Sequence, residues 1–214
     1  MEKHVAILMA DLSGYTALTE THGSLLAADL IDKYIHIAKN CLVGDSKMHQ
    51  RHGDEIMFIS DSPDYLLATA IKLEAYTARE ENFLQIHGGL HFGKVLYRTD
   101  SYFGSSINLV SRIAAKAAAG TFWCSDEFVN ALKDKSVCRF KSTGSHRLKN
   151  LTDERELFEL SIAKSGLNFV DPVCRMLIQN LQRATRHPKK EDLYFCSSQC
   201  LELYRQNYNR LQTI

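Results

Sequence analysis

His4-Val5-Ala6-Ile7-Leu8-Met9-Ala10-Asp11-Leu12-Ser13-Gly14-Tyr15-Thr16 decides the fold of the chain. The apolar run from Val5 to Ala10 reads as a buried strand, and Asp11 closes it at a turn signal, Ser13-Gly14. Working outward, Ser24 to Leu42 carries Leu26, Leu30, Tyr34 and Ile37 at helical spacing, which predicts an amphipathic helix. Lys47–His52 and Glu55–Ser60 read as strands joined tightly at Gly53-Asp54. Asp64 is placed to cap a second helix running through Arg79, with Leu67, Ala70, Ile71 and Ala75 on one face.

Gln85–Phe92 and Lys94–Tyr97 read as strand broken by Gly93, and Ser106–Ala118 as a helix that stops at Gly120. Strands follow at Thr121–Cys124, Cys138–Lys141 and Glu156–Leu160, with a capped helix at Ser125–Leu132. The order β-α-β-β-α-β with additions predicts an α+β, ferredoxin-like, antiparallel-rich sheet with helices on one face. Ser161–Asn168 reads as a linker, dividing the chain into residues 1–162 and 163–214. The second part is short of apolar residues for a core of its own, so it calls for a metal, a disulfide or docking to a neighbour.

The 214 residues are 45% hydrophobic and 24% charged, the balance of a globular protein with a real core. A net charge of +1 argues for neither nucleic acid nor an anionic membrane surface. Val5–Ala10 is too short for a signal peptide or a membrane span, which gives the expectation of a cytoplasmic protein. Cys41, Cys124 and Cys138 are scattered in apolar contexts, as inert buried thiols are. Cys174, Cys196 and Cys200 cluster near the end, a pattern of metal or redox chemistry in such a compartment.

Two sets of residues suit phosphoryl transfer. Asp11 and Asp54 fall at the ends of strands that can lie side by side, which would bring together two carboxylates for two hard cations. Leu12-Ser13-Gly14-Tyr15-Thr16 then offers backbone N–H groups to phosphate oxygens at a helix start. Asn108 and Arg112 lie four apart on one helix face, where an amide and a guanidinium suit the charge developing at a reacting phosphorus. Taken singly, each carboxylate also serves its own turn, and the Asn/Arg pair also fits a solvated helix face.

In this order and with these surroundings the residues resemble class III adenylyl and guanylyl cyclases. The similarity covers Met9–Thr16, His52-Gly53-Asp54-Glu55, Gly89-Leu90-His91-Phe92-Gly93, the helix of Asn108 and Arg112, and Leu148-Lys149-Asn150-Leu151 with Glu156–Leu160, about residues 4–160 in all. The resemblance implies that Asp11 and Asp54 bind two Mg²⁺ or Mn²⁺ ions and that Asn108 and Arg112 act on the transition state. It also implies a homodimer with its sites at the interface, converting a nucleoside triphosphate to a 3′,5′-cyclic nucleotide and pyrophosphate. The family's triphosphate lysine corresponds to Lys149 or is replaced by Leu151.

Departures from the family pattern fall on base selection. Adenylyl cyclases usually carry lysine and aspartate where this chain has Gln50 and Ser101, and guanylyl cyclases favour glutamate and a small, cysteine-like residue there. ATP is the expectation by family, with the base left open; a local bulge at Asp100 would bring that carboxylate into use. The tail, about 168–210, resembles the YHS domain, a small treble-clef-like module, with Arg175 where glycine is usual. Cys174, Cys196 and Cys200 suit Zn²⁺ or Cu⁺, with His187 the nearest further ligand in sequence; the same thiols also suit plain packing against Tyr194, Phe195 and Leu203. Three functions follow: a cyclase regulated by metal or redox state through its tail, a catalytically silent nucleotide- or protein-binding module, and a metal sensor on a dimerising platform.

Overall fold

In the computed structural model, which describes residues 1–149, 153–162 and 169–211, the opening apolar run becomes the central strand β1 (Glu2–Leu12). It pairs antiparallel with β3 (Glu55–Ser60) on one side and β4 (Ile86–Arg98) on the other. β2 (Lys47–His52) lies beyond β3, while β6 (Phe122–Ser125), β8 (Glu154–Ser161) and β7 (Arg139–Arg147) lie beyond β4. Short β5 (Ser101–Phe103) folds back on β4, completing an eight-stranded sheet in which β4 and β6 alone run parallel. The strand order β2-β3-β1-β4 around two helices is the ferredoxin-like arrangement expected.

The helices are α1 (Tyr15–Cys41), α2 (Pro63–Thr77), α3 (Ser105–Lys116) and α4 (Asp126–Ala131). They do not all lie on one face, contrary to the expectation. Ala6, Leu8, Ala10 and Leu12 of β1 share a core with α1 and α2, whereas Val5, Ile7 and Met9 share a second with Val110 and Ala114 of α3. A strand that is apolar at every position, rather than at alternate ones, must be covered on both sides. Helix α3 comes close because Gly89 of β4 lacks a Cβ, which would meet the backbone of Val110 and Ala114 at 2.7 and 2.5 Å.

Other differences are local. Helix α1 starts at Tyr15, not Ser24, and breaks at Gly23 (φ 84°, ψ 167°), a conformation open to glycine. Leu26 lies on the outer side, and Ala27, Leu30, Ile31 and Tyr34 carry the buried face. The cap of α2 is Ser62, whose Oγ accepts the Tyr65 N–H at 3.4 Å; Asp64 instead accepts the N–H groups of Lys133 and Asp134. Strand β4 runs through Gly93 unbroken, and the glycine is needed there because His91 Nε2 and Ser106 Oγ occupy the space a Cβ would take.

The tail forms two small antiparallel pairs, β9 (Phe169–Val170) with β10 (Leu177–Ile178) and β11 (Thr185–Arg186) with β12 (Tyr194–Phe195), then α5 (Ser198–Leu211). Its shortage of apolar residues is met by docking. Cys174, Met176, Phe195, Cys200 and Leu201 lie in one buried cluster with Leu18, Ala27, Phe83 and Leu84. The Leu177 N–H donates to the Phe83 carbonyl at 2.7 Å, and Gln179 Nε2 to the Ala78 carbonyl at 2.8 Å. The division expected at 162/163, the linker beyond Ile162 and Leu151 all lie outside the described residues. Among the described residues no helix is long and apolar enough to cross a membrane.

Candidate active site

Asp11 stands one residue before the end of β1, and Asp54 in the turn that joins β2 to β3, so antiparallel pairing of β1 with β3 sets them side by side. Both carboxylates are half-buried, and each bears on the other's charge. Burial raises the pKa of Asp11, and burial together with the charge of Asp11 raises that of Asp54 to about 6. Glu55, next in sequence, is also raised by burial. Carboxylates pressed together in this way are hard oxygen donors that a divalent cation would relieve of mutual repulsion, so the pair fits Mg²⁺ or Mn²⁺.

The turn after Asp11 is tied down through its first two backbone N–H groups. Asp11 Oδ1 accepts the Leu12 N–H at 3.0 Å, and the Ser13 N–H donates to the Gln85 carbonyl at 2.8 Å. Leu12 is buried and anchors the turn, Gly14 adopts a left-handed conformation (φ 94°, ψ 17°) at the start of α1, and Tyr15 and Thr16 begin the first turn, Thr16 exposed. The N–H groups of a first helical turn have no partner within the helix and attract anions. From behind, buried Tyr34 donates its hydroxyl to the Ala10 carbonyl at 3.3 Å, tying α1 to the strand that carries Asp11.

His87 also belongs to this site. Its Nδ1 is 2.9 Å from Ser13 Oγ and its Nε2 is 4.0 Å from Asp11 Oδ2. Burial lowers its pKa, which favours the neutral ring. The β1–β4 register pairs Asp11 directly with His87, and that register was the signal that could have found it.

Asn108, exposed, and Arg112, half-buried, project from α3. Among the described residues neither side chain makes a hydrogen bond or an ion pair. Leu148 is buried against Leu109 and Ile113 of α3, and Lys149, next in the chain, is exposed. Strand alternation points Asp11 to the α3 face of the sheet, with Met9.

Gln50 reaches that face through a bulge in β2. Met48 pairs with Phe58 and Gln50 with Met57, leaving His49 as the extra residue, its ring edge-on to Tyr102 at 4.7 Å. Ser101 opens β5, half-buried. The local bulge that would bring Asp100 into use is not there: Thr99 and Asp100 form a left-handed turn, and Asp100 Oδ1 accepts the Tyr97 hydroxyl at 2.7 Å.

In the tail, Cys174, Cys196 and Cys200 do come together, and His22 of α1 joins them. Cys196 Sγ is 3.5 Å from each of the other two sulfurs, and His22 Nε2 is 3.6 Å from Cys196 Sγ and from Cys200 Sγ. His187 stands apart, accepting the Lys189 N–H at 3.1 Å and packing its ring near Phe195 and Tyr204. Sequence proximity failed here because the fourth group lies more than 150 residues upstream of the thiols, 174 from Cys196 and 178 from Cys200, reached only through the fold.

No protein-family model matches the sequence. The chain is 31% identical over 126 residues to an uncharacterised protein of Mycobacterium tuberculosis, covering 58% of this chain and 33% of that one. It is 26% identical over 161 residues to a pH-sensitive adenylate cyclase of the same species, covering 74% of this chain and 41% of that enzyme. The chain thus spans about a third of the length of the first curated relatives it matches. An adenylate cyclase from Trypanosoma brucei, determined in its monomeric state, superposes with a TM-score of 0.70 at 17% identity, over 77% of this chain and 91% of that one. The fold that carries these side chains is that of class III adenylate and guanylate cyclase domains.

Proposed function

We propose that the chain is a nucleotide cyclase that converts a nucleoside triphosphate to its 3′,5′-cyclic nucleotide and pyrophosphate, working as a homodimer. The observation that carries this reading is the pair Asp11 and Asp54, set together beside a helix-opening turn with free N–H groups, on a class III cyclase fold. When bound, two divalent cations would neutralise the triphosphate and acidify the ribose 3′-hydroxyl for in-line attack on the α-phosphorus. The residues do the rest. Asp11 and Asp54 fix the position of that charge, and the Ser13–Thr16 turn cradles the phosphates. His87 holds Ser13 and faces Asp11, setting the turn against the carboxylates.

Asn108, Arg112 and Lys149 complete the reaction centre from a second copy. Support comes from their freedom: on α3 and after β7 they have no partners among the described residues, and α3 packs on the sheet face to which Asp11 points. Arg112 and Asn108 then stabilise charge on the phosphorus and the sugar oxygen, and Lys149 engages the triphosphate. Gln50 and Ser101 meet the base. Gln50 can both donate and accept a hydrogen bond, so ATP, the base of the adenylate cyclases among the relatives, fits it without the usual lysine. We read the tail as a YHS-like, treble-clef-type regulatory module.

The replacement at Gln50 and Ser101 also favours a second reading, a silent module that binds triphosphate without turning it over. One assay separates the two: purified chain with ATP, GTP, CTP or UTP and Mn²⁺ or Mg²⁺, scored for cyclic product and pyrophosphate. Cyclic product from one nucleotide supports the cyclase. Binding with no pyrophosphate from any of the four establishes the silent module.

A further inference from the structure

The four groups His22, Cys174, Cys196 and Cys200 have the dimensions of a coordination site. With Zn–S of ~2.3 Å and Zn–N of ~2.0–2.1 Å, a tetrahedral S₃N site has edges of about 3.6–3.8 Å. Four of the donor separations here are 3.5–3.6 Å, and every donor lies within 4.8 Å of every other. The scaffold behind the donors is as ordered as the donors themselves. The fully buried Asp171 carboxylate accepts the N–H groups of Val173 and Cys174 on Oδ1, at 2.7 and 3.2 Å, and that of Cys196 on Oδ2, at 2.7 Å. Ser197 Oγ accepts the Cys200 N–H, and Gln199 Nε2 donates to the Thr21 carbonyl, next to His22. Plain packing of thiols requires none of this, whereas metal sites are typically held by such outer hydrogen bonds.

The tail therefore grips the first segment of α1, Tyr15–His22, at both ends. His22 sits at its far end, directly before the break at Gly23. At its near end, Arg175 packs so tightly on Gly14 that a Cβ there would lie 2.4 Å from Arg175 Cβ and 2.5 Å from Cγ. Arg175 follows Cys174, adopts the left-handed conformation (φ 69°), and keeps its side chain exposed. The aliphatic stem of Arg175 thus lies against the turn that offers its N–H groups to phosphate.

We propose that His22, Cys174, Cys196 and Cys200 form a closed four-coordinate site for one divalent cation of the Zn²⁺ class, which clamps the tail to α1 and holds Arg175 over the triphosphate turn. Binding takes the three thiols to thiolates, releasing their protons to solvent, and uses the neutral imidazole lone pair of His22. The site stands on its own geometry; its link to triphosphate binding rests on the cyclase reading.

The full chain, stripped by chelator under anaerobic, reducing conditions, is titrated with Co²⁺ and then Zn²⁺ in the absence of nucleotide. One Co²⁺ per chain is expected, with thiolate charge-transfer and tetrahedral d–d absorption, displaced by one Zn²⁺. His22→Ala weakens affinity at least about tenfold and alters the d–d bands, and His22→Cys restores tight binding with stronger charge transfer. Sub-stoichiometric Co²⁺, or His22→Ala with wild-type affinity and bands, overturns the site. Should the stripped chain unfold, zinc analysis of protein as purified decides the same question. About one zinc per chain in wild type and far less in His22→Ala upholds the site, and no difference between them overturns it.

The clamp is tested separately, with a fluorescent nucleoside triphosphate. Zn²⁺-loaded chain should bind it about tenfold tighter than stripped chain. Arg175→Gly should bind Zn²⁺ as wild type does but lose that gain. Equal triphosphate affinity with and without Zn²⁺ overturns the clamp, and failure to bind triphosphate at all counts against the cyclase reading while leaving the metal titrations to stand.

Discussion

At one end of the Tyr15–His22 segment lie two half-buried carboxylates, and at the other three thiols and an imidazole. The carboxylate pair supplies hard oxygen donors, too few to satisfy a cation by themselves, at the end of the sheet face that α3 covers. The thiol cluster supplies four softer donors at tetrahedral spacing, two of its cysteines fully buried. Open coordination with room for substrate is the mark of a catalytic site, and a filled sphere that of a structural one. We therefore assign chemistry to the first cluster and attachment to the second, two roles set apart by donor number and donor hardness on the same short helix.

Substitutions put that contrast at risk. The largest effect is expected from Asp54→Ala, which should lower cyclase turnover on the order of 10³-fold by removing several kcal/mol of transition-state stabilisation. The thermal midpoint should hold or rise, because a raised, repelled carboxylate is gone. A matching fall in stability would move Asp54 to a structural role.

His91 belongs to neither cluster and gives a control dominated by burial, with Arg155 adding to it. It is buried with its Nδ1 2.8 Å from Ser125 Oγ, the side chain that caps α4, and burial lowers its pKa from 6.5 to about 4. Between those values the unfolded chain binds the proton and the folded chain does not. Folding stability is thus full above pH 6.5 and falls as pH drops towards 4, by on the order of 3 kcal/mol. Denaturant midpoints across that range should show the slope in wild type and a flatter one in His91→Asn.

Gly14→Ala should cost about 1–2 kcal/mol for the left-handed backbone, with a further penalty from Arg175. Calorimetry of Gly14→Ala against Gly14→Ala/Arg175→Gly separates the parts, since only the second is relieved in the double variant. The smallest effect is expected from Tyr34→Phe, about 1 kcal/mol for a buried hydroxyl bonded to the Ala10 carbonyl. Chemical denaturation measures it.

Much of the fold was legible because the apolar patterning was unambiguous. The β2–β3 hairpin around Gly53-Asp54 and the strand through Asp11 lie where apolar runs and turn residues put them. The double-sided sheet was also implicit in an apolar run that never alternates, but composition does not say which helix crosses to the far face. Asp11 and Asp54 are brought together by strand order, as the motif order suggested. His87 and His22 were not legible in their roles: each depends on a register or a docking between segments far apart in sequence. Arg175 stood out only as a side chain in place of glycine, and its contact with Gly14 gives that departure a physical setting.

An open site shared between two copies is best probed by complementation. Asp54→Ala and Arg112→Ala chains are purified, shown to be inactive alone, and mixed in equal amounts beside wild type. Random pairing makes half of the dimers mixed, each with one intact site of two, so recovery to about one quarter of wild-type activity is expected. No recovery at any mixing ratio, beside an active wild type, would contradict a shared site.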